Sequence, residues 1–169
     1  FDTGIKHGTV SVVVNSVVYE ITTFRIDGEY FDNRHPENVE FTDDLITDLS
    51  RRDFTVNAMA YSERTGLVDP FDGAYDLELM AVRCVGNPVL RFNEDALRIM
   101  RALRFASCYN MAIEKHTAQA IFVCKNLLKN IAAERIVSEF NKLVCGESCE
   151  YILRRFKTVF AEFLPEITI

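Results

Sequence analysis

The stretch RFNEDALRIMRALRF, residues 91–105, sets two carboxylates, Glu94 and Asp95, ahead of arginines at every third position, Arg98, Arg101 and Arg104. Two chemistries fit this spacing. In the simpler one, Asp95 and Arg98 lie three apart on one helix face and form an ion pair worth about 0.5 kcal/mol. In the other they read a base. A carboxylate accepts from an exocyclic amino group, the N4 of cytosine or the N6 of adenine, and a guanidinium donates to ring nitrogen or carbonyl acceptors. Side by side, the two groups copy the edge of a complementary base and favour cytosine and adenine over uracil and guanine. Arg101 and Arg104, further along the helix, suit phosphates, whether of a nucleotide or of an RNA backbone.

A second constellation is RRDFTVNAMA, residues 51–60. If residues 52–58 are helical, Asp53 and Asn57 stand at i and i+4 and face the same way. Arg51 and Arg52 open that turn. Two guanidinium groups, a carboxylate and an amide can hold a triphosphate and a ribose hydroxyl. The same residues also read as a capped helix start with a surface charge pair.

The elements that must position these groups are legible in outline. TVSVVVNSVVYEITTFRI, residues 9–26, is rich in β-branched and aromatic residues with a break at Asn15-Ser16, which predicts a β-hairpin. The acidic, Pro-containing stretch that follows reads as a long loop. Residues 42–62 turn helical, with Thr42 as cap and Asp43 and Asp44 in the first turn, where the helix dipole favours acids. A strand, a turn at residues 63–66 and a second strand come next. DPFDG, residues 69–73, is a turn cluster, and 74–86 reads as a short helix running into a strand. From Asn93, taken as an N-cap, the chain reads as all-helical, with further helices over 115–129, 133–145 and 148–163. The expected class is α+β, with antiparallel strands and helices over residues 1–90 and a helical bundle over 91–169.

Composition narrows the possibilities. The chain has 169 residues, with 49% hydrophobic and 26% charged, and reads as a folded domain. It holds no apolar run long enough to span a bilayer. The net charge of −6 argues against nucleic acid, but residues 27–53 carry nine acids against three bases and account for all of it. The remainder is balanced, with basic clusters at 51–52 and 98–104, and local potential governs phosphate affinity. Five scattered cysteines without a CxxC pair predict reduced, buried thiols in a cytoplasmic protein.

Taken in order, DLSRRDFTVNAMAYS, GLVDPFDGAYDL, VRCVGNP, RFNEDALRIMRALRFA and IAAERIVSEF resemble the bacterial class II tRNA nucleotidyltransferase and poly(A) polymerase family, with TGIKHGTVSVVV and EITTFRIDGEY matching upstream. The resemblance covers essentially the whole chain and is nearer to the CCA-adding enzymes than to other branches. It implies the rear of a nucleotidyltransferase head over 1–90 and a truncated neck over 91–169. It implies CTP and ATP as substrates, the tRNA 3′ end as partner and Mg²⁺ in the complete protein. The family's EDxxR motif falls on Glu94, Asp95 and Arg98, and Arg101 and Arg104 match arginines assigned to nucleotide binding. Its RRD motif places Arg52 on the nucleotide, with Asp53 and Asn57 near the ribose. DPFDG matches the hinge between head and neck, AERI a neck helix, and residues 27–41 the flexible loop beside the active site.

One departure accompanies the matches. The family's metal-holding Asp-x-Asp pair lies upstream of TGIKHGTV, and only Phe1-Asp2-Thr3 precedes Gly4 here. The chain is therefore expected to be a piece of a longer enzyme, to lack metal ligands and catalytic residues of its own, and to be inactive alone. An A-adding poly(A) polymerase, a non-catalytic nucleotide- or RNA-binding module, and a structural helical domain are the competing readings. No protein partner is implied.

Overall fold

The computed structural model describes residues 8–28 and 39–166. The hairpin forms as expected. Strands β1 (Thr9–Val14) and β2 (Val17–Thr22) pair antiparallel from Thr9 opposite Thr22 to Val14 opposite Val17. Asn15 and Ser16 both adopt positive φ, 50° and 65°, the backbone of a two-residue turn that matches strand twist. Arg25–Asp27 forms a separate short strand, β3, paired with β4 (Val39–Phe41). Both ends of the predicted acidic loop are thus strands, and its middle, residues 29–38, lies outside the described residues.

Helix α1 spans Leu45–Ser50. Its cap is Asp44, whose carboxylate accepts from the Ile46 N–H at 3.0 Å, and not Thr42. Thr42 lies two residues too early, and its hydroxyl accepts from the Asp44 N–H instead. Residues 52–58 are not an α-helix; only a 3₁₀ turn, Thr55–Asn57, forms there. Strands β5 (Ala60–Ser62) and β6 (Gly66–Val68) make the second hairpin, and α2 (Gly73–Glu78) leads into β7 (Ala81–Val82).

The chain then starts its next helix earlier than the sequence pattern implied. Asn87 accepts from the Val89 and Leu90 N–H groups, Pro88 occupies the first turn, and α3 runs over Pro88–Glu94. Asn followed by Pro is a stronger start than Asn93, because proline is preset for the first turn and gives up an N–H that has no partner there. Asn93 sits inside α3 and donates back to the Val89 carbonyl. At Asp95 the backbone becomes extended, with φ −137° and ψ 104°, and α4 (Leu97–Cys108) begins after this break.

Helix α4 is the centre of the molecule. Leu97, Ile99, Met100, Ala102, Leu103 and Ala106 are all buried, so its apolar surface is not one stripe but most of its circumference. A 3₁₀ segment (Lys125–Asn130), α6 (Ala133–Val144) and α7 (Cys149–Arg155) pack against it, while α5 (Lys115–Cys124) packs on α3, and α8 (Lys157–Phe160) on α5 and α7. This half is not purely helical, since β8 (Ala112–Ile113) pairs parallel with β7. Phe54, Val82 and Cys84 belong to the same core cluster as Phe92, Ile99 and Phe156. Gly146 lets α6 end against α4, because a Cβ there would lie 2.4 Å from the Ser107 Oγ. All five cysteines are free thiols; Cys84 and Cys124 are buried as expected, but Cys145 is exposed where α6 ends.

Candidate functional site

The two sequence constellations meet in one cleft of about 490 Å³, walled by Arg51, Arg52, Asp53, Asn57, Asp95, Leu97, Arg98, Arg101, Phe105 and Arg135. The elements that bring them together are the end of α1, the 3₁₀ turn, the break between α3 and α4, the first three turns of α4, and the start of α6.

The 3₁₀ turn sets Asp53 against Asn57 although no α-helix forms. The Asn57 amide donates to Asp53 Oδ1 at 3.0 Å. Asp53 Oδ2 accepts from Arg101 Nε at 2.7 Å, which ties the turn to α4. The turn itself is held from behind. Thr55 donates its hydroxyl to buried Asp76 at 2.7 Å, and Arg83 donates to both Asp76 oxygens at 3.1 and 3.0 Å. Gly73 presses on the same turn, since a Cβ there would lie 2.2 Å from the Thr55 carbonyl oxygen.

Arg51 and Arg52 are oriented by Asp48, which is 2% exposed. Arg51 reaches its carboxylate at 2.6 Å and Arg52 at 3.2 Å. Burial alone would raise the Asp48 pKa, but the hydrogen bonds and charge of Arg51, the Arg25 N–H and Arg52 outweigh it and lower it. Asp48 escaped the sequence reading, yet its spacing of three and four from the two arginines was the available signal.

Asp95 and Arg98 do not form the ion pair that their spacing allowed. Asp95 stands outside the helix, at the break, so the two side chains are not stacked on one face. Its Oδ1 accepts from the Leu97 N–H at 3.0 Å and its Oδ2 from Arg135 at 3.2 Å. Arg98, 9% exposed, donates to the Arg51 carbonyl at 2.8 Å, the Arg91 carbonyl at 3.1 Å and Glu94 at 2.7 Å. Three of the five guanidinium N–H groups are thereby used, and two remain. Each member is anchored separately, on the wall of the same cleft, with hydrogen-bonding capacity left over.

Two residues of the motif fall outside the cleft wall. Glu94 is held between Arg91 and Arg98 and steadies the latter. Arg104 turns to Glu139 at 3.2 Å and lies over the Phe105 ring, 4.5 Å from its centroid. Arg135 was missed as a wall residue, because its partner Asp95 is 40 residues away in sequence.

Five guanidinium groups and two carboxylates line this cleft. Both carboxylates are committed to arginines, Asp53 to Arg101 and Asp95 to Arg135. Among the described residues no group of three or more His, Cys, Asp or Glu side chains could hold a metal ion. This donor set fits an anion carrying a hydrogen-bonding ring and does not fit Mg²⁺. No helix among the described residues is long and apolar enough to cross a membrane.

Comparison with known proteins identifies the family. Residues 1–83 match the poly(A) polymerase head domain, and residues 110–168 match a probable RNA- and SrmB-binding site of polymerase A. The CCA-adding enzyme of Streptococcus gordonii is 47% identical over 98% of this chain, and that of Anoxybacillus flavithermus 46% identical over 97%. The chain spans only 42% of either relative. Among solved structures, the Bacillus stearothermophilus CCA-adding enzyme in complex with CTP aligns with a TM-score of 0.81 and 42% identity, over 90% of this chain and 36% of that one. A Thermotoga maritima CCA-adding enzyme complexed with tRNA aligns at 0.76 and 25% identity, over 97% of this chain and 38% of that one. By its motifs, its α+β fold and these matches, the chain belongs to the bacterial tRNA nucleotidyltransferase and poly(A) polymerase family.

Proposed function

We propose that this chain is the nucleotide-selecting part of a tRNA nucleotidyltransferase, which adds C and A from CTP and ATP to the tRNA 3′ end in the cytoplasm. The observation that carries the reading is the separate anchoring of Asp95 and Arg98 on one cationic cleft. Asp95 accepts from the amino group of cytosine or adenine, and Arg98 donates its two remaining N–H groups to the neighbouring ring acceptors. Uracil and guanine present a carbonyl where Asp95 needs a donor, and a buried unmatched acceptor pair is penalised. Arg52, Arg101 and Arg51 take the triphosphate, and Asp53 with Asn57 takes the ribose. Glu94 supports Arg98. Arg104 acts one layer away, steadying Phe105. The bound CTP of the similar Bacillus stearothermophilus enzyme and the bound tRNA of the Thermotoga maritima one support the substrate and the partner.

The proposed division is a head portion over 1–90 and a neck portion over 91–169, sharing one core. Phosphoryl transfer of this class uses Mg²⁺ held by paired carboxylates. These 169 residues contain no Asp-x-Asp pair, so by themselves they bind nucleotide without joining it. The test is an incorporation assay with labelled CTP and ATP on tRNA lacking its CCA end, in Mg²⁺. The complete protein is expected to extend the tRNA, and Asp95→Ala and Arg98→Ala in it to lose at least about tenfold in rate. Incorporation by the 169-residue chain alone, or full activity of both variants, would contradict the proposal.

A further inference from the structure

The face of α4 that enters the cleft continues beyond it. Arg101, Phe105 and Tyr109 follow at i, i+4 and i+8, one above the other. Arg101 and Phe105 line the cleft, and Tyr109 lies outside its wall. The Tyr109 ring stacks on Phe105 with centroids 5.7 Å apart and an interplanar angle of 29°, yet Tyr109 is 58% exposed. Phe105 is fixed from within by the edge of fully buried Phe54, centroids 5.6 Å apart. The Arg104 and Arg101 guanidinium carbons lie 4.5 and 5.8 Å from its ring centroid. Lys142, 56% exposed, stands beside this end of α4, where its carbonyl accepts from the Cys108 thiol at 3.1 Å.

A single exposed tyrosine is ordinary. A rigid aromatic pair flanked by cations and running straight out of a cationic cleft is the arrangement that stacks the bases of a single strand. We propose that Phe105 and Tyr109 form a stacking platform for the unpaired end of an RNA strand, next to the nucleotide held in the cleft. The proposal rests on the nucleotide-cleft reading, because that reaction requires a strand end beside the nucleotide. Every base has a π-face, so the platform holds the strand whatever its terminal base, while the cleft selects. Lys142, 56% exposed and 3.6 Å from Glu139, is the cation here that a backbone phosphate can reach, while Arg104 stays paired with Glu139 and holds the Phe105 ring.

The 169-residue chain has no tryptophan, so Tyr109→Trp introduces a unique fluorophore on the platform. Titration with short single-stranded RNAs is expected to quench it equally for strands ending in C, A, G or U. Tyr109→Ala is expected to weaken RNA binding about tenfold in fluorescence anisotropy, with CTP affinity by calorimetry changed less than twofold. Absence of quenching, unchanged RNA affinity in Tyr109→Ala, or no RNA binding by the unmodified chain would overturn the platform. A dimer in sedimentation that Tyr109→Ala dissociates, with RNA affinity unaffected, would instead assign the face to self-association. Failure of CTP binding in all forms, with quenching intact, would refute the cleft reading and leave the platform standing.

Discussion

Gly73→Ala tests how the cleft is held from behind. The new Cβ would lie 2.2 Å from the Thr55 carbonyl oxygen, 2.8 Å from its carbon and 3.0 Å from Met59 Cγ. A relaxed C···O contact is about 3.3 Å, so α2 and the 3₁₀ turn must separate by about 1 Å. Overpacking of this kind costs about 1–3 kcal/mol. Alanine recovers at most about 1 kcal/mol through helix preference and a less flexible unfolded chain. Because the clash is with backbone, the upper end applies, and about 3 less about 1 leaves a net loss of about 2 kcal/mol, read as a lower urea midpoint with unchanged slope. The displaced carbonyl belongs to the turn that sets Asn57 3.0 Å from Asp53, so CTP affinity is expected to fall about tenfold as well. Gly66→Ala is the control. Gly66 has φ +71° and nothing within 4 Å of its Cβ, so that variant loses stability by backbone strain alone and keeps its CTP affinity. Gly73→Ala with unchanged stability and unchanged CTP binding would refute the reasoning.

Asp48→Ala removes the carboxylate that orients Arg51 and Arg52. CTP affinity measured by calorimetry is expected to fall about fivefold even though the cleft becomes more positive, because preset geometry outweighs one screened charge. Glu114 governs a step in acid stability. Burial opposes its charged form, but the N–H groups of His116 and Thr117 and their side chains outweigh this and hold its pKa at about 2, against 4.5. A carboxylate depressed in the folded state stabilises above its unfolded pKa and loses that stability as pH falls from about 4.5 to about 2. Circular dichroism should show the unmodified chain and Glu114→Gln converging in stability across that window, and a constant gap would contradict it.

Local patterns carried much of this structure. The Asn15-Ser16 break set the hairpin, and of the acids and arginines in residues 91–105, Asp95, Arg98 and Arg101 do come together on one cleft wall. Their spacing misplaced the pair itself. It assumed a helix already running at Asp95, whereas Asn87-Pro88 starts an earlier helix that ends there, and the break frees Asp95 from Arg98. Partners far apart in sequence left no local trace: Arg101 with Asp53 across 48 residues, Arg135 with Asp95 across 40, Thr55 with Asp76 across 21. The two-residue strand β8 is too short to show a period. Exposure of Cys145 follows from where α6 ends, which apolar neighbours in sequence do not report.

The most direct measurement is equilibrium binding of CTP, ATP, UTP and GTP to the 169-residue chain, with Asp95→Ala and Arg98→Ala alongside. CTP and ATP are expected to bind at least about tenfold tighter than UTP and GTP, and each variant to lose that difference while retaining weak, salt-sensitive binding through Arg52 and Arg101. Equal affinity for all four nucleotides, or discrimination that survives both substitutions, would contradict the assignment of base selection to Asp95 and Arg98.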